Sequence, residues 1–131
     1  MRNGIYLASK MRHAAKWREL RDQGLPVICT WIDEAGEGES ASLEDLWLRC
    51  IGEASNAACV ILYAEPDDVL KGAFIEVGAA LSSGVPVYVI GKQPRWSWCE
   101  HPLVRECKSV EDALCLWNPA RERHPDWRRG Y

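Results

Sequence analysis

The sequence predicts an α/β fold: one domain built on an open parallel sheet of five strands with helices on both faces. Three observations carry this. Short runs of strand formers alternate with longer segments of helical period, the pattern of strands joined by right-handed helical crossovers. One run, ACVILYA at 58–64, is continuous and β-branched, as a central parallel strand covered on both faces requires. The chain has 131 residues, 47% of them apolar, enough for one buried core without disulfides or a structural metal. The domain is expected over 1–117, with an extended tail over 118–131.

In order along the chain, 4–8 (GIYLA) reads as the first strand, and 9–23 as a helix closed by Gly24, a residue suited to the left-handed position after a helix. Residues 26–31 (PVICTW) read as a second buried strand. The acidic, glycine-punctuated stretch IDEAGEGES reads as a loop forming a movable cover. A second helix is predicted over 42–55, opened by Ser42 with acids in its first turn and carrying an apolar stripe of Leu43, Leu46, Trp47, Cys50 and Ile51. After the central strand, the turn Glu65-Pro66-Asp67-Asp68 supplies an aspartate cap for a third helix over 69–81. Ser82, Ser83 and Gly84 stop it. A fourth strand is predicted over 85–90, a loop rich in tryptophan and proline over 92–102, a weak fifth strand over 103–107 and a short helix over 110–117.

Composition narrows the function classes. A net charge of −3 leaves no electrostatic footprint for a nucleic-acid polymer. The N-terminal apolar stretch is broken by Lys10 and Arg12, and no run reaches membrane-spanning length, so the expectation is a cytoplasmic protein. Six cysteines without a CxxC pair read as reduced thiols, and three scattered histidines make no metal-ligand pattern, so neither a metal nor a cofactor is expected. No GxGxxG, Walker or GxSxG pattern occurs. Seven tryptophans, with Trp96, Trp98, Trp117 and Trp127 in the last third, are more than a core of this size needs and suit a pocket wall or a subunit interface.

The candidates for chemistry are carboxylates. In the apolar stretch VLKGAFIEVGAAL one acid, Glu76, stands where a core residue is expected. Its helical neighbours three and four positions away, Gly72, Ala73, Ala79 and Ala80, are all small and leave room beside it. A charge on an apolar element is expensive unless paired or solvated. Parallel sheets bind ligands beyond the carboxyl ends of their strands, and the helix carrying Glu76 leads away from that edge. Asp67 and Asp68 precede it, Asp33 follows the second strand, and Glu44 and Asp45 open the second helix. Two acids in different environments are the minimum equipment for displacement at a sugar anomeric carbon. The plainer alternatives are a Glu76 paired with Lys71 or Arg12 or turned to solvent, turn and capping roles for Asp67 and Asp68, and a core-filling Tyr6.

The segments IYLAS, VILY and above all KGAFIEVGAALSSGVPVYVIG resemble the nucleoside 2-deoxyribosyltransferase family, whose helix pattern G-x-x-x-E-x-G-x-A is met here by Gly72, Glu76, Gly78 and Ala80, followed by Gly84, Pro86 and Val87. The resemblance covers most of 4–91. It implies a flavodoxin- or Rossmann-like sheet, with Glu76 as a nucleophile that attacks C1′ of a 2′-deoxynucleoside and forms a glycosyl-enzyme ester. It also implies Tyr6 beside the nucleophile, and sugar and base held by the loops after the first three strands. Asp68 is the candidate assisting acid, since Leu70 stands where family members often carry an aspartate. The substrate-binding candidates are Ala8, Ser9, Lys10 and Arg12 after the first strand, Asp33, Asp45 and Gly72. A related branch acts on deoxynucleoside monophosphates with a serine and basic residues after the first strand, which Ser9, Lys10 and Arg12 resemble. Related enzymes complete their sites across subunits, which implies a homodimer or higher homo-oligomer. The alternative is a nucleotide-binding or sequestering protein of the same fold without turnover.

Overall fold

The computed structural model describes residues 4–34, 42–91 and 96–117. The expected loop cover lies largely on 35–41, and the expected tail on 118–131, outside the described residues. The fold is α/β, with a four-stranded parallel sheet in the order β1 (Ile5–Ala8), β2 (Cys59–Tyr63), β3 (Val87–Ile90) and β4 (Val104–Cys107). Helix α1 (Ala14–Asp22) follows β1, α2 (Leu43–Asn56) precedes β2, α3 (Gly72–Ser82) joins β2 to β3, and α4 (Val110–Trp117) closes the described chain. No helix among the described residues is long and apolar enough to cross a membrane.

Register decides which side chains meet which helix. Tyr6 pairs with Val60 and Ala8 with Leu62, so these four share one face, while Leu7, Ile61 and Tyr63 point the other way. Trp17 of α1 packs edge-on against Tyr63 at 5.2 Å between ring centroids, which puts α1 on the Tyr63 face. Glu76 of α3 acts on Tyr6 from the opposite face. All four residues of β1 are buried, as a strand covered on both sides must be. The last strand, β4, exposes Arg105 and Glu106, charges that keep a sheet edge from pairing with another chain.

Among the described residues the sheet has four strands where five were expected, because the second expected strand is reduced to a single bridge. Val27 pairs with Ile5; Ile5 N–H donates to Pro26 O at 2.8 Å and Ile28 N–H to Ile5 O at 2.9 Å. In a continued parallel ladder the next rung would carry Thr30 N–H to Leu7 O. Side chains intercept both groups. Thr30 N–H donates to Glu53 Oε1 at 3.0 Å, and Leu7 O accepts from the Trp31 indole N–H at 2.8 Å. The chain therefore leaves the sheet in a 3₁₀ turn, Thr30–Asp33.

Two helix starts also differ from expectation. The first helical segment opens with a 3₁₀ turn, Met11–His13, before α1, and Gly24 follows α1 with φ +101°, the conformation for which glycine was expected there. Asp68 does not cap α3: its carboxylate turns back to accept from Glu65 N–H at 2.8 Å and to bind Arg12 and His13, and α3 begins only at Gly72. Ser42 does cap α2, its Oγ accepting from Asp45 N–H at 3.1 Å.

Candidate functional site

At the carboxyl ends of β1 and β2 lies a cavity of about 360 Å³, within the range of small-molecule sites. The connection from β1 to α1 forms one wall with Ser9, Lys10, Met11 and Arg12. Helix α2 contributes Leu46, Trp47 and Cys50, Trp31 adds a second indole, and the approach to α3 brings Leu70 and Lys71. Gly72, Ala73 and Glu76 complete it from α3. Of the four small residues flanking Glu76, Gly72 and Ala73 border this space, whereas Ala79 and Ala80 do not. Gly72 has a second constraint, since a Cβ there would lie 2.8 Å from Cη2 of Trp47. Its bare backbone leaves room for the rim of the indole at the helix start.

Glu76 is 8% exposed and makes no ion pair with any described residue. Neither Lys71 nor Arg12 neutralises it. Burial pushes its carboxyl up to about 7; the Tyr6 hydroxyl opposes that rise and the charge of Glu53 adds to it. Tyr6 is fully buried, and its hydroxyl has no hydrogen-bond partner at standard geometry although Glu76 and Cys50 lie beside it. Burial first, and the adjacent Glu76 second, drive its phenol far above the usual range. The thiol of Cys50 is likewise pushed by burial to about 11. Glu76 and Cys50 thus border the cavity with the Tyr6 phenol behind them, and burial disfavours the charged form of all three.

Asp68 sits elsewhere, in a charged cluster behind the Arg12 wall. Arg12 Nε donates to Asp68 Oδ1 at 2.9 Å, and Arg12 Nη2 reaches Asp67 at 2.7 Å and Glu65 at 3.4 Å. The buried His13 places Nε2 2.8 Å from Asp68 Oδ2, and its ring meets the edge of Tyr63. Lys16 Nζ donates to Tyr63 Oη at 3.0 Å and to Glu65 at 3.4 Å. Burial alone would raise the Asp68 carboxyl, but the Glu65 N–H, His13 and Arg12 outweigh it and hold the group at about 2. Asp68 is therefore ionised at neutral pH and carries no proton to donate.

Of the residues singled out in the sequence, the structure brings Ser9, Lys10, Arg12, Gly72 and Glu76 to the cavity, with Tyr6 behind Glu76. Ala8 is buried in β1 one residue short of it. Asp33 is held in a two-pronged ion pair by Arg21 at 2.8 and 2.9 Å, and Asp45 bonds Arg49 one turn along α2 at 3.2 Å; neither lines the cavity. The sequence reading gave no site role to Trp31, Trp47, Cys50 or His13. Trp47 and Cys50 were legible only as helix stripe, and a stripe residue facing a cavity looks the same in sequence as one facing core. Trp96 and Trp98 stack on each other at 5.6 Å, meet Phe74 of α3 edge-on, and do not line the cavity.

Among the described residues no group of three or more His, Cys, Asp or Glu side chains is arranged to hold a metal ion. Compared with protein-family models and with curated proteins, the chain matches none.

Proposed function

We propose that this protein cleaves or transfers the N-glycosidic bond of a 2′-deoxynucleoside or deoxynucleoside monophosphate, with Glu76 as nucleophile. The observation that carries the reading is a buried, unpaired carboxylate opening into a 360 Å³ cavity at the ligand-binding edge of a parallel sheet. The ionised carboxylate attacks C1′, the C1′–N bond breaks, and the base leaves with the bonding electrons and takes a proton. Water or a second base then attacks C1′ and frees Glu76. Trp31 and Trp47 offer flat apolar walls to a planar base. Since Asp68 is ionised, the proton for the leaving base comes from solvent or from the base's own protonated form.

The resemblance of 4–91 to the nucleoside 2-deoxyribosyltransferase family supports this reading, together with its flavodoxin-like sheet, in which the Val27 bridge stands for the second strand. It extends to a cytoplasmic homo-oligomer: Leu48 and Ile51 of α2 and Ile75 of α3 are exposed apolar side chains on neighbouring helices. Light scattering at micromolar concentration tests that part, and a monomer rejects it.

A second reading, a nucleotide-binding protein without turnover, is favoured by the engagement of Asp68 with Arg12 and His13, which takes the expected assisting acid away from Glu76. Incubation with deoxynucleosides and their monophosphates, with and without an acceptor base, separates the two by base release. Release from wild type that vanishes in Glu76→Ala supports catalysis. Tight binding without release supports the second reading.

A further inference from the structure

We infer that Lys71 is a second catalytic group, whose ammonium holds the charge that collects on the departing base when Glu76 displaces it from C1′. This rests on the N-glycosidic reading and adds a residue to its machinery. As a Glu76 oxygen bonds C1′ and the C1′–N bond breaks, the bonding pair passes to the base nitrogen. The base is then an anion until solvent supplies its proton. In the return step an entering base gives its N–H proton to solvent and attacks C1′ with the freed pair, and the ester oxygen departs as the Glu76 carboxylate. Both steps place negative charge on a base, and a positive group fixed at its edge lowers both barriers.

The other polar side chains on the cavity wall are committed elsewhere. Arg12 is held by Asp68 through Nε and by Asp67, Asp68 and Glu65 through Nη2, so three carboxylates offset its charge. The Ser9 hydroxyl donates to Lys10 O at 3.0 Å while its oxygen accepts from the Trp17 indole at 2.8 Å. Burial keeps Cys50 a neutral thiol. Two cations remain, Lys10 and Lys71, and neither side chain makes a hydrogen bond or ion pair with a described residue.

Placement selects Lys71 of the two. Lys10 stands after β1 on the wall that also carries Arg12, whereas Lys71 leads directly into the helix that carries Glu76. Phe74 N–H donates to Lys71 O at 3.1 Å and ties its backbone to the first turn of α3. Gly72, the next residue, abuts the rim of the Trp47 indole, and Glu76 lies one turn, about 6 Å along the axis, beyond Gly72. A base lying on Trp47 with its C1′ at Glu76 spans that interval and turns its outer edge toward the Lys71 ammonium on its long flexible stem. The start of α3 has no side-chain cap, and its first residues, Gly72 and Ala73, border the same space, so the positive end of the helix adds to the charge of Lys71.

The test varies the charge that the leaving base must carry. Base release by wild type, Lys71→Met and Lys71→Arg is compared on 2′-deoxyuridine against 5-fluoro-2′-deoxyuridine and on 2′-deoxyguanosine against 7-methyl-2′-deoxyguanosine, using whichever pair wild type turns over. The second member of each pair releases a base that is a more stable anion or leaves uncharged. Lys71→Met is expected to lower kcat on the first member by about tenfold or more and on the second by less than about twofold, and Lys71→Arg to restore most of the loss. Equal losses on both members, no loss on either, or an arginine no better than methionine overturns the inference, while release by wild type upholds the activity. Absence of release by wild type from all four substrates overturns the N-glycosidic reading and this inference with it.

Discussion

Arg12 and Asp68, 56 residues apart in the chain, are joined by a 2.9 Å bond from Nε to Oδ1 that ties the wall after β1 to the turn after β2. That bond makes Asp68 a member of the framework around the cavity, and it sets the first prediction. Asp68→Ala leaves the buried His13 ring and the Glu65 N–H without their acceptor and is expected to destabilise the protein by about 1–3 kcal/mol, read from denaturant unfolding. Because the folded Asp68 is held at about 2, below its ordinary 3.8, its contribution is complete above the ordinary value and is lost as pH falls through about 2. Acid unfolding of wild type should therefore steepen in that window, and the steepening should be absent in the variant.

Glu76 works in the opposite sense. Its carboxyl is raised in the folded state from 4.5 to about 7, so the fold favours the protonated form and loses stability as pH rises through that interval. The loss is on the order of 3 kcal/mol above the upper value. Glu76→Gln removes the penalty: thermal melts at pH 5 should match wild type, and melts at pH 8 should show the variant more stable. If the two proteins melt alike at pH 8, Glu76 is not the desolvated group described above.

The same variant should abolish base release by at least about a thousandfold, because the amide cannot form the glycosyl ester. In wild type the attacking form is the carboxylate, so kcat/KM should rise with pH along a limb centred at about 7. A pH-independent rate between 5 and 8 would falsify the assignment of Glu76 as nucleophile. Gained stability with lost turnover in one substitution is the mark of a site held in a strained ionisation state.

Tyr6→Phe removes a buried hydroxyl that has no partner at hydrogen-bonding geometry. The fold should be unharmed or stabilised by up to about 1 kcal/mol. The hydroxyl also restrains the rise of the Glu76 carboxyl, so its loss should move the limb of the pH–rate profile to higher pH. An unmoved limb would show that Tyr6 does not act on Glu76.

Gly72→Ala places a methyl 2.8 Å from Cη2 of Trp47 and forces the indole toward the cavity. Overpacking of this kind costs about 1–3 kcal/mol. The more telling expectation is a raised KM with a smaller change in kcat and a shifted tryptophan emission maximum, since Trp47 forms part of the cavity wall. Emission and KM identical to wild type would mean that the wall is soft.

The sequence by itself determined the elements whose physics is local. The β-branched run at β2, the Ser42 cap of α2 and the glycine after α1 depend on side-chain packing, one capping oxygen and a left-handed dihedral, all specified within a few residues. It also singled out Glu76, because a lone acid among small apolar residues is conspicuous in one dimension. What only the tertiary structure decided were the competitions between distant groups for the same partner. Glu53 and Trp31 take the two backbone groups that a second strand needed, and Arg12 and His13 take the carboxylate that was expected to cap α3. Asp68 and Asp33 look alike as acids in the sequence; one is buried between an arginine and a histidine and the other is paired with Arg21 at the surface. A local pattern offers a hydrogen-bonding group to its neighbours, but the folded chain brings every other claimant within reach, and the best-placed one wins.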